Sequence, residues 1–417
     1  MSSSKKRVLD AIRHREPDQV PCDYWGTPEI DQKLKDHFKV DSLDGIRRCL
    51  GVDLSYIYAS GIIYEDPKGL YGPTPRYVGP KRAVFKDGRF EDLWGVTRKM
   101  VKVGSGNAYR EVVKNPLRDV TSVEEVETYD KWPRAGDFDY SGLREACEKK
   151  KDSAVVVGGM PGCATFFIQC WYLRGLDQIL MDLILSPHLA RAIIGKITEF
   201  QIDYHEKLFT EVGDFADILM IADDFGTQSS LMMSQKHFRE FFKKPTQALI
   251  ELGKRYGLKI MLHCDGNVRE LIPEFIDMGI DILNPIQNVG PDMDPKVLKR
   301  EFGRDLCFHG AIDTQQDLPR LSPEEVTVEV RKKIKMVGID DTVYGENPDY
   351  RLKVFEKYYT HDLLLSNDIP LIEGLTNLGE LTTQRFFFLA VPAKMGGLES
   401  FPVRAVAIEQ VMSREES

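Results

Sequence analysis

Acidic, imidazole and thiol side chains recur at the ends of short apolar runs in this 417-residue chain. Four such ends read Asp223-Asp224-Phe225-Gly226-Thr227-Gln228, His263-Cys264-Asp265-Gly266, Asn284-Pro285-Ile286-Gln287 and Cys307-Phe308-His309-Gly310. Two earlier ones read Asp23-Tyr24-Trp25-Gly26 and Gly158-Gly159-Met160-Pro161-Gly162. These side chains transfer protons and ligate metals. Alternate residues of a strand share a face, so His263 and Asp265 point one way and Cys264 the other. Cys307 and His309 likewise share a face, while the adjacent Asp223 and Asp224 point apart. One of those two aspartates is expected to face a cleft and the other to cap a helix or turn. A zinc ion accepts imidazole nitrogen, thiolate sulfur and carboxylate oxygen, which makes His263, Asp265 and Cys307 a candidate metal set. Asp223, Asp224 and His263 are the candidate catalytic groups. Tyr24, Gln228, Gln287 and His309 are the candidate substrate contacts.

Other polar positions carry less chemistry. Gly158–Gly162 lacks both GxGxxG and the Lys-Ser/Thr ending of a phosphate loop, so a tight turn or a close backbone approach explains it better. Cys264 reads as a small packing residue. His14 and His37 lie in polar helical segments and read as surface residues; His188, His205 and His237 read as structural.

The elements that must position these groups alternate regularly. Apolar runs at Gln19–Tyr24, Val52–Tyr58, Ala154–Gly158, Ala216–Ala222, Leu258–His263, Ile280–Asn284 and Asp305–His309 read as strands buried on both faces. Amphipathic stretches at Ser186–Glu211, Ser234–Tyr256 and Val268–Met278 separate several of them. This alternation predicts βαβ units and a parallel sheet, close to the eight strands of a barrel. In such a barrel, functional groups gather at the C-terminal ends of the strands. The stretch 59–151, rich in Gly, Pro, Lys and aromatics, breaks the rhythm. It reads as a hairpin-bearing insertion that covers the barrel mouth or decorates the surface.

Composition excludes several roles. Lys+Arg of 56 against Asp+Glu of 65 gives a net charge of −9, and no long basic run occurs, which argues against nucleic acid or an anionic membrane as partner. No apolar stretch approaches the roughly 18 residues of a membrane span, and the polar N-terminus has no signal core. Seven dispersed cysteines without a CxxC pair read as reduced thiols, and the expected location is the cytoplasm.

Taken together, several blocks resemble the uroporphyrinogen decarboxylase superfamily, in order from Arg7 to about Met336. They are PDQVPCDYWG, YLRGLDQILMDLILSP, DDFGTQSSLMMSQKHFREFFKKP, HCDGNVRELIPEFIDMGIDILNPIQ and CFHGAIDTQQDLP. The resemblance implies an α/β (β/α)8 TIM barrel with its substrate in a cleft at the C-terminal face. Two chemistries divide that superfamily. Its decarboxylases carry an arginine motif, RQAGRY, near the N-terminus and an aspartate that stabilises the substrate pyrrole during protonation. Its cobamide-dependent methyltransferases use zinc to make a thiolate nucleophile, on a His-x-Cys pattern followed by a late Cys. Here Asp23-Tyr24-Trp25-Gly26 stands in place of the arginine motif, and Asp265 stands where that cysteine belongs.

The family's glycine-rich eighth strand is absent. From about Val337 the chain resembles instead the last third of the kynurenine formamidase-like cyclase family, through VGIDD, His361-Asp362-Leu363-Leu364, IEGLTNLGEL and PVRAVAI. His361 and Glu373 match residues of those hydrolases, but the HxGTHxD-type metal motif has no counterpart, so no hydrolase activity is expected. The domain reading is a barrel over 1–336, with the 59–151 insertion, and a divergent α+β tail over 337–417. The tail is expected to form a helix at Arg351–Leu365 and strands at Phe386–Val391 and Val403–Ile408. A barrel short of one strand leaves two edges, for which Thr342–Gly345 or Phe386–Val391 are the expected covers.

The missing arginine motif favours methyl transfer, with zinc and a corrinoid or corrinoid protein as expected cofactor and partner. The substrate would be a methylated or tetrapyrrole-related small molecule. Uroporphyrinogen decarboxylation, which needs no cofactor, is the alternative; a non-catalytic corrinoid- or partner-binding barrel is the second. In the enzymatic readings Asp223 or Asp224 orients substrate, and His263 is metal ligand or acid/base.

Overall fold

The computed structural model describes residues 3–58, 74–103, 107–158, 164–287, 291–313 and 316–337, with four short strands beyond residue 385. Strand β1 (Leu54–Tyr58) begins the main sheet. The insertion then contributes β2 (Arg76–Tyr77), β3 (Arg89–Glu91), β4 (Thr97–Val103), β5 (Asn107–Lys114) and β6 (Phe138–Asp139). The main sheet continues through β7 (Ala154–Gly158), β8 (Ile218–Ala222), β9 (Lys259–His263), β10 (Ile282–Asn284) and β11 (Cys307–Phe308). Its six strands run parallel in the order β1-β7-β8-β9-β10-β11, the α/β barrel plan expected from the alternation.

Two apolar layers show how the sheet curls. Leu54, Tyr56, Ala154, Val156, Ile218, Met220, Met261 and Ile282 pack into one interior cluster drawn from five strands, with Cys307 of the sixth against it. Val8 and Ile12 of the helix Ser4–Ile12 join that cluster and close its floor. The alternate residues, such as Val155, Val157, Leu219, Ile221, Ile260, Leu262 and Leu283, face outward into the layer shared with the helices. Strands β7, β8 and β10 are therefore buried at every residue, which is why they lack polar alternation.

Gln19–Tyr24, expected as the first strand, is not one. Pro21 removes a donor from the middle of that run, and a strand cannot be laddered through it. The segment still touches the edge of β1 through the Asp53 amide, which donates to the Cys22 carbonyl at 2.8 Å. Its other side meets the residue that follows β11, because Asp23 Oδ2 lies 3.3 Å from His309 Nε2. An irregular segment thus stands between the two edges of the sheet.

In the insertion, β3, β4 and β5 form an antiparallel sheet and β2 pairs with β6. Leu93, Trp94, Val96, Leu117 and Phe138 belong to the outer core, and Trp94 meets Phe200 of the helix Pro187–Val212 edge-on at 4.9 Å. Its described residues therefore pack on the helical layer; residues 59–73 lie outside the described residues. In the tail, β12 (Phe386–Leu389) pairs with β15 (Val406–Glu409), and β13 (Ala393–Met395) pairs with β14 (Leu398–Phe401). The described part of the run Phe386–Val391 expected as an edge cover, β12, pairs with β15 rather than with a strand of the main sheet, and lies against the helix Pro323–Val337. Thr342–Gly345, Arg351–Leu365, His361 and Glu373 lie outside the described residues.

Candidate functional site

At the C-terminal rim, β8, β9 and β10 end in register, with Ala222 beside His263 and His263 beside Asn284. The loops that follow β8 and β9 touch through two glycines. A Cβ on Gly226 would stand 2.8 Å from the Asp265 carbonyl oxygen, and one on Gly266, at φ +86°, 2.5 Å from the Gly226 carbonyl carbon. Only glycine at both positions allows that contact. It is tied by the Asn267 amide donating to the Thr227 carbonyl at 2.6 Å and by the Asp265 amide donating to Asp224 Oδ1 at 2.8 Å.

The contact brings Asp224, His263 and Asp265 together, with one ligand atom from each lying within 4.8 Å of the others. His263 Nε2 stands 3.9 Å from Asp265 Oδ2, too far for a hydrogen bond but close to the spacing of two ligands on one ion. His263 and Asp265 are buried and Asp224 half-buried. Burial pushes the Asp224 carboxyl up to about 6, against the Asp265 amide that favours its ionised form.

A hydrogen-bonded chain leads away from this trio. His263 Nδ1 lies 2.6 Å from Asn284 Oδ1, and Asn284 Nδ2 contacts His309 Nδ1. His309 faces Asp23, whose carboxylate also accepts the Tyr56 hydroxyl and, at 2.7 Å, the Tyr24 amide. Trp25 lies against both imidazoles, with ring centroids 5.7 Å from His263 and 6.2 Å from His309.

The remaining sequence candidates divide. Asp223 faces away from the trio and caps the helix Phe167–Arg174, accepting the amides of Phe166 and Phe167 at 2.9 Å and of Ile168 at 2.8 Å. Burial pushes its carboxyl up to about 7 against those three donors. Of the two adjacent aspartates, Asp224 thus turns to His263 and Asp265, and Asp223 is the cap. Gln287 rims the site, its Oε1 accepting the Gly266 amide at 2.6 Å. Gln228 is half-buried in the loop after β8.

Two candidates fall outside the site. Cys307 does not join His263 and Asp265: it registers with Ile282, two residues below Asn284, and packs near the floor cluster. At ~3.3 Å per residue that is roughly 6–7 Å deeper than the rim. Burial also pushes its thiol up to about 11. Tyr24 points out of the barrel, packing with Ile30, Leu34 and Ile46 and donating its hydroxyl to Asp31 at 2.7 Å. The inward residues of that segment are its neighbours Asp23 and Trp25. With Asn284, they were present at the run ends but not among the candidate roles. The alternation rule that separated Asp223 from Asp224 would have exchanged Tyr24 for Asp23.

The donor set fits a divalent ion without a thiolate. Cys264 turns away, its sulfur accepting the Phe225 amide at 3.3 Å, and burial followed by the charge of Asp224 pushes its thiol well above the ordinary range. One imidazole and two carboxylates remain, a set that zinc accepts.

The uroporphyrinogen decarboxylase (URO-D) family model matches residues 99–344, more than half of the chain. A methyltransferase from Methanosarcina mazei has a similar structure, with TM-score 0.55, 17% identity, and coverage of 81% of this chain and 91% of that one. An uncharacterized protein of Methanocaldococcus jannaschii is 38% identical over 80 residues, 19% of this chain and 37% of that protein. The chain thus spans little more than a third of the length of that relative.

Proposed function

Because the chain belongs to the uroporphyrinogen decarboxylase family, we propose that it is a methyl-transfer enzyme acting on a small methylated substrate at the barrel rim. The observation that carries this reading is the convergence of Asp224, His263 and Asp265 within 4.8 Å at strand ends of one polarity. His263 Nε2 and one oxygen from each aspartate would hold zinc, which when bound supplies a Lewis acid for the heteroatom that gives up the methyl group. Asn284 fixes the His263 ring, as an outer partner does for a metal-bound histidine. Trp25 covers both imidazoles and limits water. Gln228, Gln287 and His309 line the approach for substrate, and a reduced corrinoid, free or carried by a partner protein, would accept the methyl group.

Asp23 supports a second reading. A buried carboxylate at the rim can stabilise positive charge on a pyrrole as it is protonated, the role an aspartate takes in the decarboxylases this chain resembles. Zinc content and anaerobic methyl transfer to cob(I)alamin, measured on wild type and on Asp265→Asn and His263→Ala, test the first reading. We expect bound zinc and a rate that falls roughly 100-fold or more in each variant, with the melting temperature little changed. Absence of metal and of methyl transfer, with decarboxylation of uroporphyrinogen under the same conditions, would establish the second. Corrinoid binding without turnover, unaffected by His263→Ala, would overturn both in favour of a binding protein.

A further inference from the structure

We infer that Asp23 decides which ring nitrogen of His263 carries the proton, acting from the far side of the rim through His309 and Asn284. A neutral imidazole has one N–H and one lone pair, and a carboxamide offers donors on one side and an acceptor on the other. Both oxygens of Asp23 act as acceptors: Oδ1 takes the Tyr24 amide and Oδ2, the oxygen facing His309, takes the Tyr56 hydroxyl.

His309 Nε2 faces this carboxylate at 3.3 Å. A lone pair there would be repelled by the accepting oxygen and an N–H attracted, so Nε2 carries the proton and Nδ1 the lone pair. The Nδ1 lone pair needs a donor, and Asn284 supplies its Nδ2 amide. Asn284 Oδ1 must then face His263, where it lies 2.6 Å from Nδ1 and accepts its proton. The lone pair of His263 is thereby assigned to Nε2, the nitrogen 3.9 Å from Asp265 Oδ2.

Because Asn284 has one acceptor and one donor side, the two histidines hold opposite states at Nδ1. Reversing one reverses the other. β9, β10 and β11 are neighbours in the sheet, so the chain of contacts crosses three adjacent strands without a gap. The consequence for a metal rests on the metal-centre reading above; the tautomer does not.

Histidine-15N-labelled protein tests this by two-bond 1H–15N correlation at neutral pH, with His263 assigned from the signal lost in His263→Gln. In wild type we expect His263 protonated at Nδ1 and His309 at Nε2. In Asp23→Asn the new carboxamide can donate to His309 Nε2, and both tautomers should invert. In Asn284→Ala the two rings are uncoupled, so adding Asp23→Asn should leave His263 unchanged. Wild-type His263 protonated at Nε2, or no response of His263 to Asp23→Asn, would overturn the inference. The wild-type spectrum decides it even if the variants fold poorly. Titration with Co(II) alone separates the two readings: affinity roughly tenfold or more weaker in Asp23→Asn joins them. The expected tautomers with no Co(II) bound would keep the relay and remove the metal centre.

Discussion

At the floor of the barrel, Asp53, Asp217 and Asp281 each stand one residue before a strand, and each meets a cation and a neighbouring amide. Asp53 takes Arg7 and the Cys22 amide at 2.8 Å. Asp217 takes Lys5 at 2.8 Å and the Val155 amide at 2.9 Å. Asp281 takes Lys254 at 2.7 Å, Lys259 at 2.8 Å and the Ile260 amide at 2.8 Å. At the rim, Asp23, Asp223 and Asp224 accept from neutral groups, backbone amides and a tyrosine hydroxyl among them. The same residue type is a staple at one end and a held charge at the other. A floor carboxylate spends its charge on the fold, whereas in the proposed metal centre Asp224 and Asp265 would direct theirs to a cation from outside.

Asp223 is where this comparison is most exposed to failure, because it lies at the rim yet works as a staple. Its carboxyl is 1% exposed and accepts three amides, so removing it leaves those donors buried without partners. Asp223→Ala should cost about 3–5 kcal/mol by denaturant unfolding, since each buried donor left without an acceptor costs about 1–3 kcal/mol. Asp224→Ala, a single residue away, should cost far less stability. Equal losses at the two positions would show that the rim divides by something other than the direction of the side chain.

Much of this was legible in the sequence because burial on both faces leaves a plain signature. Each of the strands β7 to β11 lies within an apolar run, and the polar residues that follow them form the rim. Parity within a strand also separated Cys264 from His263 and Asp265. The first run failed for a local reason: its apolar pattern suggested a strand, and the decisive residue was Pro21, which cannot donate to a ladder. Cys307 failed for a different one. Parity gives the face of a strand but not the depth, and depth is set by the registers that place Cys307 beside Ile282 rather than beside Asn284. The Gly226–Gly266 contact was out of reach, since it joins two loops 40 residues apart through backbone atoms alone.

The comparison sharpens when pH is varied, because carboxylates held mainly by neutral groups and by cations respond with opposite sign. Asp31, behind the rim segment, accepts the Tyr24 hydroxyl, and burial pushes its carboxyl up to about 6 although that bond and the charges of Arg47 and Lys35 oppose it. Folded Asp31 therefore binds a proton more tightly than the unfolded chain. Its stabilising contribution is complete below about pH 4 and is lost as pH rises through about 6. The shift corresponds to about 3 kcal/mol. Asp31→Asn keeps an acceptor for Tyr24 and does not titrate. Wild-type stability minus variant stability should fall by about that amount between pH 4 and pH 7 in urea unfolding. A flat difference would mean that the Tyr24 bond and the Arg47 and Lys35 charges cancel burial, and a rising one that they outweigh it.

Asp281 should give the smallest effect and the opposite slope. Burial opposes its ionisation, but the bonds from Lys254 and Lys259 and the Ile260 amide outweigh it and hold the carboxyl below the usual range. Folded Asp281 thus binds its proton less tightly than the unfolded chain, and its contribution is present above about pH 4 and lost as pH falls through its folded value. Both lysines are about a third exposed or more, so screening by solvent limits the gain to about 1 kcal/mol. In Asp281→Asn the wild-type advantage should therefore appear above pH 4, fade in acid, and shrink in 1 M salt, where the Debye length falls to about 3 Å. Salt should leave the Asp31 difference almost unchanged, because the burial behind it is not screened. If salt erased both differences equally, the carboxylates behind the rim would also be held by charge, and the distinction between the two ends of the barrel would fail.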